Sequence, residues 1–386
     1  MMRLCPFPVL QLFLLVVIVN CAASVNAKDK VWVFVGTYTN GGSEGIYVLQ
    51  LDLQTGRLEK KSVVASENPS FVAIRPDGNF VYAVNEVSNF GGEKAGAVSA
   101  FAFDRKTATL KLLNQQSSGG AGPCHLVVDK TGSCVVVANY GGGSVASLKI
   151  RKDGRLSKPV SFIQHEGSSV NVQRQEGPHG HSINIDGGNR FAVAADLGLD
   201  KLLTYRVDVR KASLTAHPQG GASVTPGSGP RHFAFHPNGR NAYVINELLR
   251  TVSVFDWDGS TGKLTETQTL STLPAGTTPI GSTAEIQVHP AGKFVYGSNR
   301  GHDSIVVYSV DQETGRLAWV ENEPTGGKTP RNFGIDPTGK FLLAANQTTN
   351  NIVVFQIDQK TGELASTGNE IEIPTPVCVK MMTADR

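Results

Sequence analysis

Residues 229–247 read GPRHFAFHPNGRNAYVINE, and the reading of this stretch decides the fold. Pro230 opens a short apolar strand, His236-Pro237-Asn238-Gly239 turns the chain, and a second strand runs to Asn246. Pro supplies a fixed φ at the turn and Gly the left-handed position that a tight hairpin needs. The same pattern returns as NPSFVAIRPDGNFVYAVNE at 68–86, GPCHLVVDKTGSCVVVANY at 122–140 and TPRNFGIDPTGKFLLAANQ at 329–347. A weaker copy, STAEIQVHPAGKFVYGSNR, fills 282–300 with Thr283 in the Pro place. From Pro or Thr to Asn the separation is 16 residues in all five, and a sixth copy from Pro178 to Asp196 reads two residues longer. Strand-built repeats of this kind are the sequence signature of a β-propeller.

Each hairpin is followed by an apolar strand and a TG-x-L turn or a degenerate form of it. These second halves close at Leu58, Leu110, Leu156, Leu214, Leu264, Leu317 and Leu364, seven against six hairpins. The missing strands lie at the chain ends: VWVFVGTYTN from Val31 reads as the second strand of a blade, and PVCVKMM from Pro376 as its first. The expectation is an all-β, seven-bladed propeller with four antiparallel strands per blade. Joining the terminal strands in one blade removes the exposed edges of an open ring. Composition agrees, with 42 Gly, 19 Pro and 18% charged residues but no amphipathic helical pattern.

Residues 1–27 read as a signal peptide and 28–386 as the propeller. Arg3 is a short basic segment, Val9–Val19 is apolar but for Gln11, and Val25-Asn26-Ala27 precedes Lys28 as a cleavage site. The apolar run is shorter than the roughly 20 residues of a membrane span, so an exported protein without a membrane anchor is expected. Removing the leader takes away Arg3 alone and lowers the formal net charge from +3 to +2. That near-neutral balance gives no reason to expect a nucleic-acid partner. A ring closed on itself is expected to be monomeric. Cys124, Cys134 and Cys378 remain after cleavage. With the turn centred near Lys130-Thr131, Cys124 would face Val137 rather than Cys134, so buried thiols are expected and not a disulfide.

The antiparallel hairpin puts residues just after the Pro and residues just after the Asn on one face. Around that rim stand Ser70, His125, His179, His181, Arg231, His232, Glu285, Arg331 and Asn332, with Glu86, Tyr140, Leu197, Glu247, Arg300 and Gln347 from the second strands. A structural slot should keep one residue type from blade to blade. These slots diverge into His, Arg and Glu, which points to a built site at the mouth of the channel. Other positions read as structural. The Asn column closes turns, although Asn346 is retained as a substrate-binding candidate. His236 and His289 sit in hairpin turns on the opposite face and read as surface residues, and His217 lies at an outer strand. His179 and His181 could supply two metal ligands, but a third and fourth are not evident, so neither a metal nor a cofactor is expected.

PHGHSINI with DLGLDKLLTY, GPRHFAFHPNGRNAYVINEL, GSNRGHDSI and TPRNFGIDPTGKFLLAANQ together resemble the lactonase family of seven-bladed propellers, the 6-phosphogluconolactonase and carboxy-cis,cis-muconate lactonizing enzyme type. The likeness runs over nearly the whole chain after the leader. It implies a lactone hydrolase whose site is formed by His179 or His181, Arg231, Glu247 and Arg300, with Arg331 and Glu285 nearby. Lactone opening needs an activated water and a donor for the developing oxyanion. Glu247 or a His could take the proton. Arg231 or Arg300 could hold the oxyanion, and a further arginine a carboxylate or phosphate of the substrate. Arg331, Glu285, His125, His232 and Asn346 are the substrate-binding candidates, and the expected partner is a small lactone bearing a carboxylate, phosphate or polyol. No strand-to-helix nucleophile elbow is read in this all-β pattern, so direct attack by water is expected.

Export makes an unphosphorylated sugar lactone a plausible alternative to a phosphorylated one. Two other classes fit the fold: a non-catalytic surface propeller, and a muconate-type cyclase running the ring chemistry in reverse. The polar stretch 164–176, QHEGSSVNVQRQE, enters its blade from the rim and is a lid candidate, and Gly-rich 89–96 is similarly placed.

Overall fold

The computed structural model describes residues 1–3, 29–218, 220–278 and 280–384. The apolar run of the expected leader, its cleavage site, Cys5 and Cys21 lie outside the described residues. The described chain forms seven antiparallel sheets arranged as blades. The inner strands are Val72–Ile74, Pro123–Val128, Gly180–Ile185, Pro230–Phe235, Ser282–Val288, Pro330–Ile335 and Pro376–Thr383. Each packs against the inner strands of its two neighbours, which makes them the wall of a central channel. The third blade divides its outer edge between Ser213–Ala216 and Ala222–Ser223, both paired with Lys201–Asp208.

The ring closes as the terminal sequences predict. Pro376–Thr383 pairs with Lys30–Thr37 from the other end of the chain, giving a blade in the order C-terminal strand, then three N-terminal strands. Alternating side chains bury the seams between blades. Tyr243, Ile245, Val252 and Val254 of one blade, for example, pack with Ile286, Val295, Val306 and Tyr308 of the next. Tyrosines add a specific latch across three seams. The hydroxyls of Tyr82, Tyr243 and Tyr296 donate to the carbonyls of Gly154, Gly315 and Gly362, the TG-x-L turns of the following blades.

Four expectations need correction. First, Gly180 and not Pro178 pairs with Asp196, so the third blade has the same 16-residue spacing as the others. Second, Cys124 does not face Val137, because a bulge after Pro123 shifts the register and Leu126 takes that place. The three thiols are nonetheless buried and unbridged.

Third, His236 and His289 are buried rather than on the surface. Their Nε2 atoms donate to Gly292 O and Gly339 O of the next blade's turn at 2.7 and 2.9 Å. A turn is exposed in an isolated hairpin, but in a ring the neighbouring turn covers it.

Fourth, Asn346 belongs to the scaffold. Its amide donates to Thr325 O, as Asn85, Asn139 and Asn299 donate to Glu67 O, Ser118 O and Thr272 O. The third blade inverts this arrangement. Asp196 has no N–H to donate, and the preceding segment supplies His165, whose Nδ1 meets Asp196 Oδ2 at 2.5 Å.

Candidate active site

Six of the seven inner hairpins carry an irregularity of register at their rim end. A bulge sets two residues of one strand against one of its partner. The extra residue lets the first and the second positions after the Pro slot both contribute to the channel, in adjoining layers. The first positions are Ser70, Cys124, His181, Arg231, Arg331 and Val377. They line one enclosed cavity together with Tyr38, Phe71, Glu86 and His232. The second positions include His125, His232, Glu285 and Asn332, which lie one layer further in. His125, His232 and Glu285 line a second cavity of about 340 Å³ toward the opposite mouth, with Asn184 and Lys380.

Glu247 anchors Arg231, one of the lining residues of the upper cavity. Its Oε2 accepts from Arg231 Nε at 2.9 Å and lies 3.0 Å from Arg300 Nη2, and its Oε1 accepts from Arg174 Nη2 at 2.7 Å. Backbone carbonyls fix the two inner guanidiniums further, Ala284 O for Arg231 and Thr283 O for Arg300, both at 2.7 Å. Burial alone would raise the Glu247 carboxyl, but Arg300, Arg231 and Arg174 outweigh it and hold the pKa at about 2. Burial, with Arg231 beside it, brings Arg300 down to about 9.

Across the cavity, Ser70 Oγ donates to Glu86 Oε2 at 2.5 Å, and Tyr38 OH donates to the same oxygen at 3.0 Å. Arg331 Nη2 in turn donates to the Tyr38 oxygen at 2.9 Å. Arg231 and Arg331 line the cavity beside Glu86, and Arg300 and Arg174 join Arg231 on Glu247, so four guanidiniums accompany two carboxylates, an excess of positive charge suited to an anion or a developing oxyanion.

The predicted residues thus divide. Glu247, His181, Arg231, Arg300 and Arg331 converge. His232 forms the floor, while His125 and Glu285 stand one layer below. His179 is drawn aside: it stacks on Tyr140 with centroids 4.6 Å apart, gives Nδ1 to Tyr140 O, and meets Glu176 at 3.2 Å. The two histidines of the PHGH motif are therefore split rather than joined on one ligand. Among the described residues no group of three His, Cys, Asp or Glu is placed to hold a metal ion.

Tyr38 escaped sequence reasoning because its blade carries Thr37 in place of the marker Asn. Thr37 pairs with Pro376 as Asn246 pairs with Pro230, so Tyr38 stands in the column of Glu86 and Glu247. Arg174 escaped because it lies in no repeat column. Arg174 comes from the 164–176 segment, whose base is fixed by His165 on Asp196 and by Gln175 Nε2 on Leu197 O. The Arg174 side chain is 41% exposed, so it is the part of the Glu247 cluster that can leave without unpacking a strand. Only about 10 Å³ of space remains in the upper cavity, room for roughly one water. A cavity of about 700 Å³ between Leu249, Leu273, Tyr308 and Trp319 is mostly apolar and contains no acid–base pair.

Three histidines of the channel are uncharged at neutral pH. Burial, reinforced by His232 for His125 and by Arg231 for His181, pushes both well below the usual range, and burial takes His232 to about 4. Unfolded, they titrate near 6.5, so between about pH 6.5 and 4 the unfolded chain binds protons that the folded chain refuses. Stability should therefore fall on acidification, by roughly 3 kcal/mol for His232 alone. Below about pH 4.5 the depressed Glu247 adds to the loss. Melting curves across this range check it, and a midpoint constant from pH 7 to 4.5 would contradict neutral buried histidines.

The model of the seven-bladed β-propeller lactonases matches residues 32–381. The chain is 40% identical over 350 residues to the 6-phosphogluconolactonase of Bacillus subtilis, covering 90% of this chain and 97% of that one. It is 35% identical over 309 residues to the 6-phosphogluconolactonase of Formosa agariphila, covering 78% and 86%. The solved structure of the periplasmic gluconolactonase of Pseudomonas aeruginosa superposes with a TM-score of 0.85 at 32% identity, covering 92% and 99%.

Proposed function

The chain belongs to the lactonase family of seven-bladed β-propellers, and on that premise we propose that it is an exported hydrolase that opens an unphosphorylated sugar lactone by adding water at the channel mouth. A lactone hydrolase of the 6-phosphogluconolactonase kind is what the relatives have in common. The unphosphorylated substrate and export rest on the apolar leader pattern at Val9–Val19 and on the likeness to a periplasmic gluconolactonase.

The observation that carries the reading is the Arg231–Glu247–Arg300 cluster. Its guanidiniums are held in place before substrate arrives, so they need little reorganisation when charge develops on the lactone carbonyl oxygen. Arg331 uses one N–H on Tyr38 and keeps the others for a hydroxyl or anionic group of the substrate. Direct attack by water agrees with the available side chains. Burial pushes the Cys124 thiol up, away from thiolate, and Ser70 gives its proton to Glu86 with no imidazole on its oxygen.

Proton release in a pH-stat tests the reading with the full chain on gluconolactone and on its 6-phosphate. Turnover of gluconolactone with the higher kcat/KM is expected. Preference for the phosphate would move the substrate, and turnover of neither would remove the hydrolase.

A further inference from the structure

We propose that Glu285 and His232 form the general-base dyad of the site, with His232 Nε2 accepting the proton of the hydrolytic water at the cavity floor. The proposal rests on the lactonase reading and assigns a step that reading leaves open.

The hydrogen bonds fix the tautomer. His232 Nδ1 lies 3.0 Å from Glu285 Oε1, both groups buried. The same oxygen accepts Ile286 N–H at 3.0 Å, and Glu285 Oε2 accepts from Asn332 Nδ2. Burial would raise the Glu285 carboxyl, but His232, Lys380 and Arg231 bring it below its ordinary value. As a carboxylate it only accepts, so the shared proton sits on His232 Nδ1 and the lone pair sits on Nε2. That nitrogen has no protein partner among the described residues. The His232 ring borders both the upper cavity and the lower one. A proton taken on the substrate side therefore has a polar neighbourhood beneath it.

Competing bases are otherwise engaged. Both oxygens of Glu247 are occupied by arginines, which lowers its basicity. His125 Nδ1 accepts Ile183 N–H at 3.3 Å, so its proton lies on Nε2, which is a donor. His181 has Cys124 Sγ at 3.7 Å from Nδ1 and Glu247 at 4.0 Å from Nε2, with no carboxylate close enough to orient it. Among the described channel histidines His232 alone has a carboxylate on one nitrogen and no protein partner on the other, the arrangement by which an oriented imidazole serves as base.

The step balances. Water oxygen bonds to the lactone carbonyl carbon while its proton moves to Nε2, and the C=O electron pair moves to the oxygen held by guanidinium. Collapse breaks the ring C–O bond, and the leaving oxygen takes the proton back from Nε2. The product is the hydroxy acid and the imidazole is regenerated.

The test is Glu285→Gln, which keeps shape but removes the charge that favours the imidazolium. The groups facing His232 are Glu285, Arg231, Lys380, His125 and His181, and only the first changes. At neutral pH kcat should fall about 10²-fold with KM within a few-fold. The acid limb of kcat/KM should move to lower pH, because protonated His232 loses its partner. A purely structural Glu285 would lower the melting point and leave that limb in place. Should Glu285→Gln fail to fold, His232→Gln carries the test, with the same loss of kcat at near-constant KM. Active wild type with both variants within threefold of it, or an unmoved acid limb, overturns the dyad alone. A wild type that opens no lactone overturns it together with the lactonase reading.

Discussion

Replacing Glu247 with Gln is expected to slow lactone opening by about 10²–10³-fold and to destabilise the fold by about 3 kcal/mol. The substitution preserves volume, so both losses come from charge. Arg231 and Arg300 are held against one carboxylate oxygen and Arg174 against the other. With a neutral amide there, two buried guanidiniums repel each other without compensation, and Arg174 loses its reason to cover the site. The rate loss follows because the oxyanion donors are no longer fixed. Denaturant titration and pH-stat kinetics on the same preparation check the two parts. Wild-type stability with wild-type rate would show that Glu247 does not organise the cluster.

Deleting residues 376–386 is expected to abolish cooperative folding. The missing segment is the inner strand of the closing blade, with Val377, Cys378, Val379 and Met382 buried. Their apolar burial amounts to something on the order of 8 kcal/mol, comparable with the whole stability of a typical domain. Its removal also bares the backbone of Lys30–Thr37 as an unpaired edge, an invitation to intermolecular pairing. Size-exclusion chromatography and a thermal melt would show aggregate and no sharp transition. A monomer with a sharp transition would contradict closure by the C-terminal strand.

The architecture was legible because a propeller repeats its spacing. Pro230 to Asn246 fixes one hairpin, and its copies fix the ring, including the blade shared by Val31 and Pro376. Arg231, Glu247, Arg300 and Arg331 were legible for the same reason: they break a column that scaffold residues would keep uniform. The bulge after the Pro slot was not legible, since it depends on backbone register rather than residue type. Without it the layer of Cys124, His181 and Arg231 could not be separated from the layer of His125, His232 and Glu285. Tyr38 stands in the repeat column after the Asn slot but was hidden because Thr37 replaces the marker Asn there, and Arg174 lies in a non-repeating segment and reaches the site only through the fold. His236 and His289 were misjudged because a turn read alone lacks the neighbouring blade that buries it. Asn346 was misjudged because its polarity was explained by Thr325 O, a partner 21 residues away.

The mechanism depends on where the substrate's carboxyl carbon sits. A crystal structure of the protein with the hydroxy acid product answers that in one experiment. The product carboxylate should lie between Arg231, Arg300 and His232, with Arg174 displaced from Glu247. Product bound instead in the apolar cavity beside Trp319, with the arginine cluster undisturbed, would contradict the assignment.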